Sequence, residues 1–132
     1  MFQVTREDML RSKVLDPGWY PVIIKKVSQE KAKSDGGQST NTWIDMTVLG
    51  GPDQQDGSRP NDTPLRRCFS EKAPGFIIPY LQACGASVKT EGGNYDIEKS
   101  IGKKIQAYVK NRLWEGNLQN DVVDFRALES ES

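Results

Sequence analysis

The sequence predicts a mainly β domain, a five-stranded Greek-key barrel with one helix between its third and fourth strands. Three observations predict it. The chain has 132 residues and 36% hydrophobic content, enough to close one core but too little for two. Strand-like segments recur along it, with apolar and polar residues alternating at 40–49 and most clearly at 103–114. A single stretch with three- and four-residue apolar spacing falls after the third of these segments, at 74–84. An immunoglobulin-type sandwich would need about seven strands and no helix, and a parallel α/β sheet a helix after nearly every strand.

Taken in order, residues 1–16 mix charged side chains with Met9, Leu10, Val14 and Leu15 and meet a turn signal at Asp16-Pro17-Gly18. They are expected as an N-terminal arm with a helical turn, ahead of a domain at 17–128. Strand one, WYPVIIKKV at 19–27, is rich in aromatic and β-branched residues, with Pro21 directing it to a sheet edge or a bulge. The polar SQEKAKSDGGQS that follows reads as a mobile loop carrying Lys31 and Lys33. In strand two, at 40–49, Ile44, Met46 and Val48 share one parity while Asn41, Trp43, Asp45 and Thr47 take the wet face.

The connection at 50–63 is dense in Gly, Pro, Asp and Asn and longer than most in compact domains, which marks it as functional or disordered. Strand three is PLRRCF at 64–69. In the helix, Phe76, Ile77, Tyr80, Leu81 and Cys84 recur before Gly85, and Pro79 requires either a kink or a late start. Residues 89–99 read as a surface excursion with a turn near 96–100. Strand four, 103–114, places Ile105, Ala107, Val109 and Leu113 on a core face and Lys104, Gln106, Tyr108, Lys110, Arg112 and Trp114 on a basic, aromatic one. A reversal at 115–120 leads to strand five at 122–128 and a short acidic tail with Glu129 and Glu131.

Charge gives no long-range signal of a partner, because Lys plus Arg and Asp plus Glu are 18 each. Its distribution is uneven: between 99 and 112 stand Lys99, Lys103, Lys104, Lys110 and Arg112, with no acidic residue. The lack of histidine removes the commonest general base and the commonest metal ligand. With only Cys68 and Cys84, a structural zinc site is not expected, and no phosphate-binding glycine loop or nucleophile elbow occurs. The expectation is a non-enzymatic protein without cofactor or metal. No apolar stretch approaches membrane-spanning length and the N-terminus lacks a signal-peptide core, so the expected location is cytoplasmic, with no membrane partner.

Helix position and strand order are those of the OB-type barrel. The segment PGWYPVIIKKV, followed by a Lys-Ser-Asp-Gly loop and an alternating strand, resembles phage-encoded single-stranded DNA-binding proteins and related uncharacterised phage families. FSEKAPGFIIPYLQACG, IGKKIQAYVKNR and the final NDVVDF continue the resemblance, which covers residues 14–128. It implies an accessory protein of phage replication, recombination or repair, working in the host cytoplasm, with single-stranded DNA and replication or recombination proteins as partners.

Binding single strands without reading sequence needs cations for phosphates and flat side chains for unpaired bases. In OB-type barrels the groove crosses strands two and three, flanked by the one-two and four-five loops. That selects Lys31 and Lys33, Trp43, Arg66 or Arg67, and Arg112 with Trp114. Trp43 is either a stacking platform or a side chain packed under the 50–63 loop. Arg66 and Arg67 alternate in parity, so one is expected to be an ordinary solvated charge. The stripe of Lys104, Tyr108 and Lys110 lies on a strand away from that groove; it extends the DNA path or forms a contact between subunits. Two other functions compete: a structural or adaptor barrel using the aromatic stripe for protein contacts, and a small metal-dependent nuclease.

Overall fold

The computed structural model describes residues 1–128, so the acidic tail lies outside the described residues. Five strands form one antiparallel sheet: β1 (Gly18–Lys31), β2 (Thr40–Val48), β3 (Pro64–Ser70), β4 (Lys104–Trp114) and β5 (Asn117–Ala127), in the spatial order β3-β2-β1-β4-β5. Two short helices accompany them, α1 (Arg6–Ser12) and α2 (Ile78–Ala83). The central strand β1 pairs with β4 over Gly18–Ile23 and with β2 over Val22–Lys31, with a register shift between Ile24 and Lys26 just past the end of the β4 pairing.

Alternation places the core. Val22 and Ile24 of β1, Ile44, Met46 and Val48 of β2, and Ile105, Ala107 and Val109 of β4 are all buried on one face. At the open end of the sheet, Phe69 of β3, Tyr80 of α2 and Phe125 of β5 pack ring against ring, with centroids 5.1 to 6.0 Å apart. Burial pushes the Tyr80 phenol well above its ordinary pKa, and its hydroxyl meets the Ser100 hydroxyl at 2.6 Å. The helix begins late: a 3-10 turn at Pro74–Ile77 precedes it, and Pro79 sits in its first turn, where no helical N–H is needed. Phe76, expected among the core residues of that helix, lies in the 3-10 turn and is exposed.

No ladder joins β3 to β5 among the described residues, so the sheet is not closed. Arg67 stands at that seam on the core parity of β3. It faces Val123, Asp124 and Phe125 of β5, next to the register shift that leaves Val123 unpaired.

Two boundaries and one burial assignment differ from expectation. Lys31 ends β1, paired with Thr40, and does not belong to the loop. The connection is tightened by Asp35, which accepts from the Gly37 and Gln38 amides and the Ser39 hydroxyl and pairs with Lys72 at 3.0 Å. Strand five starts at Asn117, because β4 and β5 continue past the core as a projecting hairpin closed by Glu115 and Gly116. Both turn residues have positive φ, 49° and 81°, the backbone of a type I′ turn. Leu113, expected in the core, is 67% exposed on that hairpin.

The arm is part of the fold. A capping box between Thr5 and Asp8 starts α1, and Leu15 is fully buried in the core. Asn120 accepts from the Leu15 amide and donates to the Lys13 carbonyl, both at 2.8 Å, while Asn111 donates to the Leu15 carbonyl at 2.8 Å. The 50–63 connection is likewise held: buried Gln54 exchanges hydrogen bonds with the Tyr20 hydroxyl and accepts from the Asp16 amide. Gly51, at φ 137°, passes the Tyr20 ring so closely that a Cβ there would lie 3.0 Å from Cδ1.

Candidate nucleic-acid interface

The outward parity of β2 and β3 sets Trp43 opposite Cys68 and Asp45 opposite Arg66. Arg66 joins the two rows, its guanidinium 4.3 Å from the centre of the Trp43 ring and its Nε 2.8 Å from Asp45 Oδ1. The indole N–H of Trp43 donates to Glu30 Oε1 at 2.8 Å. Trp43 is therefore held edge-on by Glu30 and face-on by Arg66.

This surface forms one wall of an open cleft of about 920 Å³. The β4–β5 hairpin forms another wall through Arg112 and Asn117–Asp121, and the arm closes it with 11–14. Cationic lining comes from Arg11, Lys13, Arg66, Arg67 and Arg112; among the described lining residues the one carboxylate is Asp121. The Lys13 ammonium donates to Ser58 Oγ and the Arg59 carbonyl, fixing the arm against the 50–63 connection.

Of the residues selected from sequence, Trp43, Arg66, Arg67 and Arg112 meet in this cleft. Both arginines of β3 reach it despite opposite parity. Arg66 lies over the wet face, whereas Arg67 sits at the open seam with its guanidinium 4.9 Å from the Phe69 ring and its buried Nε unpartnered. Lys31 and Lys33 stand at the β1–β2 turn and do not line the cleft. Trp114 sits at the hairpin tip with Arg112 5.5 Å from its ring centre, and Tyr108 and Lys110 lie along β4 outside the cleft.

Sequence reasoning missed Arg11 and Lys13, because only the long-range bridges from Asn111 and Asn120 bring the arm alongside the hairpin. It also missed Cys68, directly across from Trp43. Burial pushes that thiol's pKa up, so a protonated thiol and not a thiolate borders the cleft.

Among the described residues, no group of three cysteine or carboxylate residues is placed to hold a metal ion, and no helix is long and apolar enough to cross a membrane. No protein-family model matches this chain, and no curated protein matches its sequence.

Proposed function

We propose that this chain is a single-stranded DNA-binding protein, built on an OB-type barrel and acting without catalysis in phage DNA replication, recombination or repair. The observation that carries this reading is the composition of the cleft. In a chain with 18 basic and 18 acidic residues, five cations line the cleft with Trp43 against one lining carboxylate, Asp121, an excess that remains when Asp45 beside Arg66, Glu7 beside Arg11 and Glu30 at the Trp43 edge are counted in. Cations there can track phosphates, and the guanidinium of Arg66 stacked on Trp43 makes a flat cationic platform for an unpaired base, a combination that is tolerant of sequence. The location supports the same reading: the cleft lies on strands two and three beside the four-five hairpin, where OB-type barrels take oligonucleotides, and such barrels are commonly open along one seam. The preference for DNA and the phage setting rest on the resemblance of residues 14–128.

Tryptophan fluorescence titration with oligo-dT of about 20 nucleotides, against duplex of equal length, tests it. Tighter binding of the single strand is expected, since paired bases cannot reach a stacking platform. Equal affinity for the two forms overturns the reading.

A second function, a structural or adaptor barrel, is favoured by one feature. Leu113, Trp114 and Leu118 are exposed together at the hairpin tip, as a protein-contact surface would require. Saturable binding to a protein partner with no affinity for single strands would select it.

A further inference from the structure

The outward face of β1, β4 and β5 carries a second aromatic and cationic constellation that the cleft does not use. The pairing registers set Trp19, Tyr108 and Asp124 in one row across the three strands, and Pro21, Gln106 and Arg126 in the next. Trp19 and Tyr108 meet edge to face with centroids 5.2 Å apart. Arg126 reaches diagonally between the rows, its guanidinium 4.2 Å from the Trp19 ring centre and its Nε donating to Gln106 Oε1. This repeats the arrangement of Arg66 on Trp43 at nearly the same distance. An arginine laid on an indole, with charge and a flat face together, can meet a phosphate or a base.

Two further observations tie this face to a nucleic acid. Its charge leans positive: Arg126 in these rows and Lys104 in the next stand against Asp124, and further along β4 Lys110 and Arg112 stand against Asp121, which is paired with Lys110. It is also continuous with the cleft. The register shift in the β4–β5 pair leaves the extra residue on β5, so the even positions of β4 keep one parity from Lys104 through Tyr108 and Lys110 to Arg112. Arg112 lines the cleft, and a strand rise of about 3.3 Å per residue makes this unbroken edge roughly 26 Å long.

We propose that a single strand leaving the cleft over Arg112 follows the outward face of β4 to a second stacking site at Trp19, Tyr108 and Arg126. The inference rests on the cleft being the primary site. It makes binding length-dependent: a short oligonucleotide fills the cleft alone, and a longer one engages both faces.

The test compares oligo-dT of about 6 and about 16 nucleotides, near the two ends of the range one OB fold covers, on the intact protein. The double variant Lys104→Glu with Arg126→Glu changes exposed side chains only. It is expected to weaken binding of the longer oligonucleotide at least ten-fold and of the shorter by less than two-fold. Trp43→Ala is expected to weaken both. If the double variant binds both lengths like the unaltered protein while Trp43→Ala weakens both, the second site is wrong and the cleft stands. Equal weakening of both lengths by the double variant also overturns it, because the face would then be part of the primary site. A change in sedimentation without a change in binding makes the face a contact between copies. Absence of binding by the unaltered protein overturns the cleft and the second site together.

Discussion

The guanidinium of Arg66 lies 4.3 Å from the centre of the Trp43 ring while its Nε holds Asp45 at 2.8 Å. Asp45 thus fixes the arginine, and the arginine presents charge directly over the indole. The pair is exposed enough that it contributes little to folding, since surface ion pairs are worth about 0 to 1 kcal/mol. On the proposed function, Arg66 and Trp43 together are the surface that a base and its phosphate would meet.

Trp43→Ala is therefore expected to reduce single-strand affinity by about 1–3 kcal/mol with little change in the thermal transition. Paired oligonucleotide titrations and calorimetric melts check both halves. A large fall in melting temperature at unchanged affinity would make Trp43 a packing residue.

Asn120→Ala removes two hydrogen bonds that tie the arm to the hairpin and strands the Leu15 amide in a part-buried site. A loss of about 1–3 kcal/mol is expected in urea unfolding. The arm carries Arg11 and Lys13 into the cleft, so single-strand affinity is expected to fall as well. Unchanged affinity would show that the arm takes no part in binding.

Outward and inward positions of the strands were legible in the sequence. The alternation at 40–49 puts Trp43 on the wet face, and β2 shows it there, half-buried. The same reasoning failed at Leu113, because alternation reports parity and says nothing about whether a core lies beneath. The hairpin runs past the core, and both of its faces are wet. Asn117–Asn120 read as a turn for a related cause: their polar composition suits a loop, while their pairing with β4 satisfies the backbone of a strand. Arg11 and Lys13 were not legible as cleft residues because Asn111 and Asn120, which tie the arm to the hairpin, are more than ninety positions away in the chain, beyond the reach of any local pattern.

Glu115→Asn is expected to stabilise the protein by about 0.5–1 kcal/mol. Glu115 holds φ 49° at the first central position of the hairpin turn, where Asn-Gly is the preferred pair and a long side chain is strained. Chemical denaturation measures it, and a destabilised variant would mean that the Glu115 side chain makes a contact that outweighs the strain.

The β1–β2 turn depends on an ionised Asp35. The Ser39 hydroxyl, then Lys72 at 3.0 Å, hold its carboxyl well below the usual carboxylate range. A carboxyl with a depressed folded pKa stabilises the fold fully above its unfolded value, near 4, and loses that contribution as pH falls toward the folded value. Asp35→Asn is therefore expected to lower the melting temperature at pH 7, with the gap to the unaltered protein narrowing below about pH 4. A gap that is constant from pH 7 to pH 3 would assign the effect to lost hydrogen-bond geometry and not to charge.

The salt dependence of single-strand binding tests the cleft most directly. If about three to five of its cations touch phosphates, log K against log salt should slope by roughly −2 to −3.5, at about 0.7 per phosphate for single strands. The double variant Arg66→Ala with Arg112→Ala should flatten that slope by about 1.4, while Lys89→Ala, on the exposed excursion before β4, should leave it unchanged. A slope that the two arginine substitutions do not alter would contradict a DNA path through the cleft.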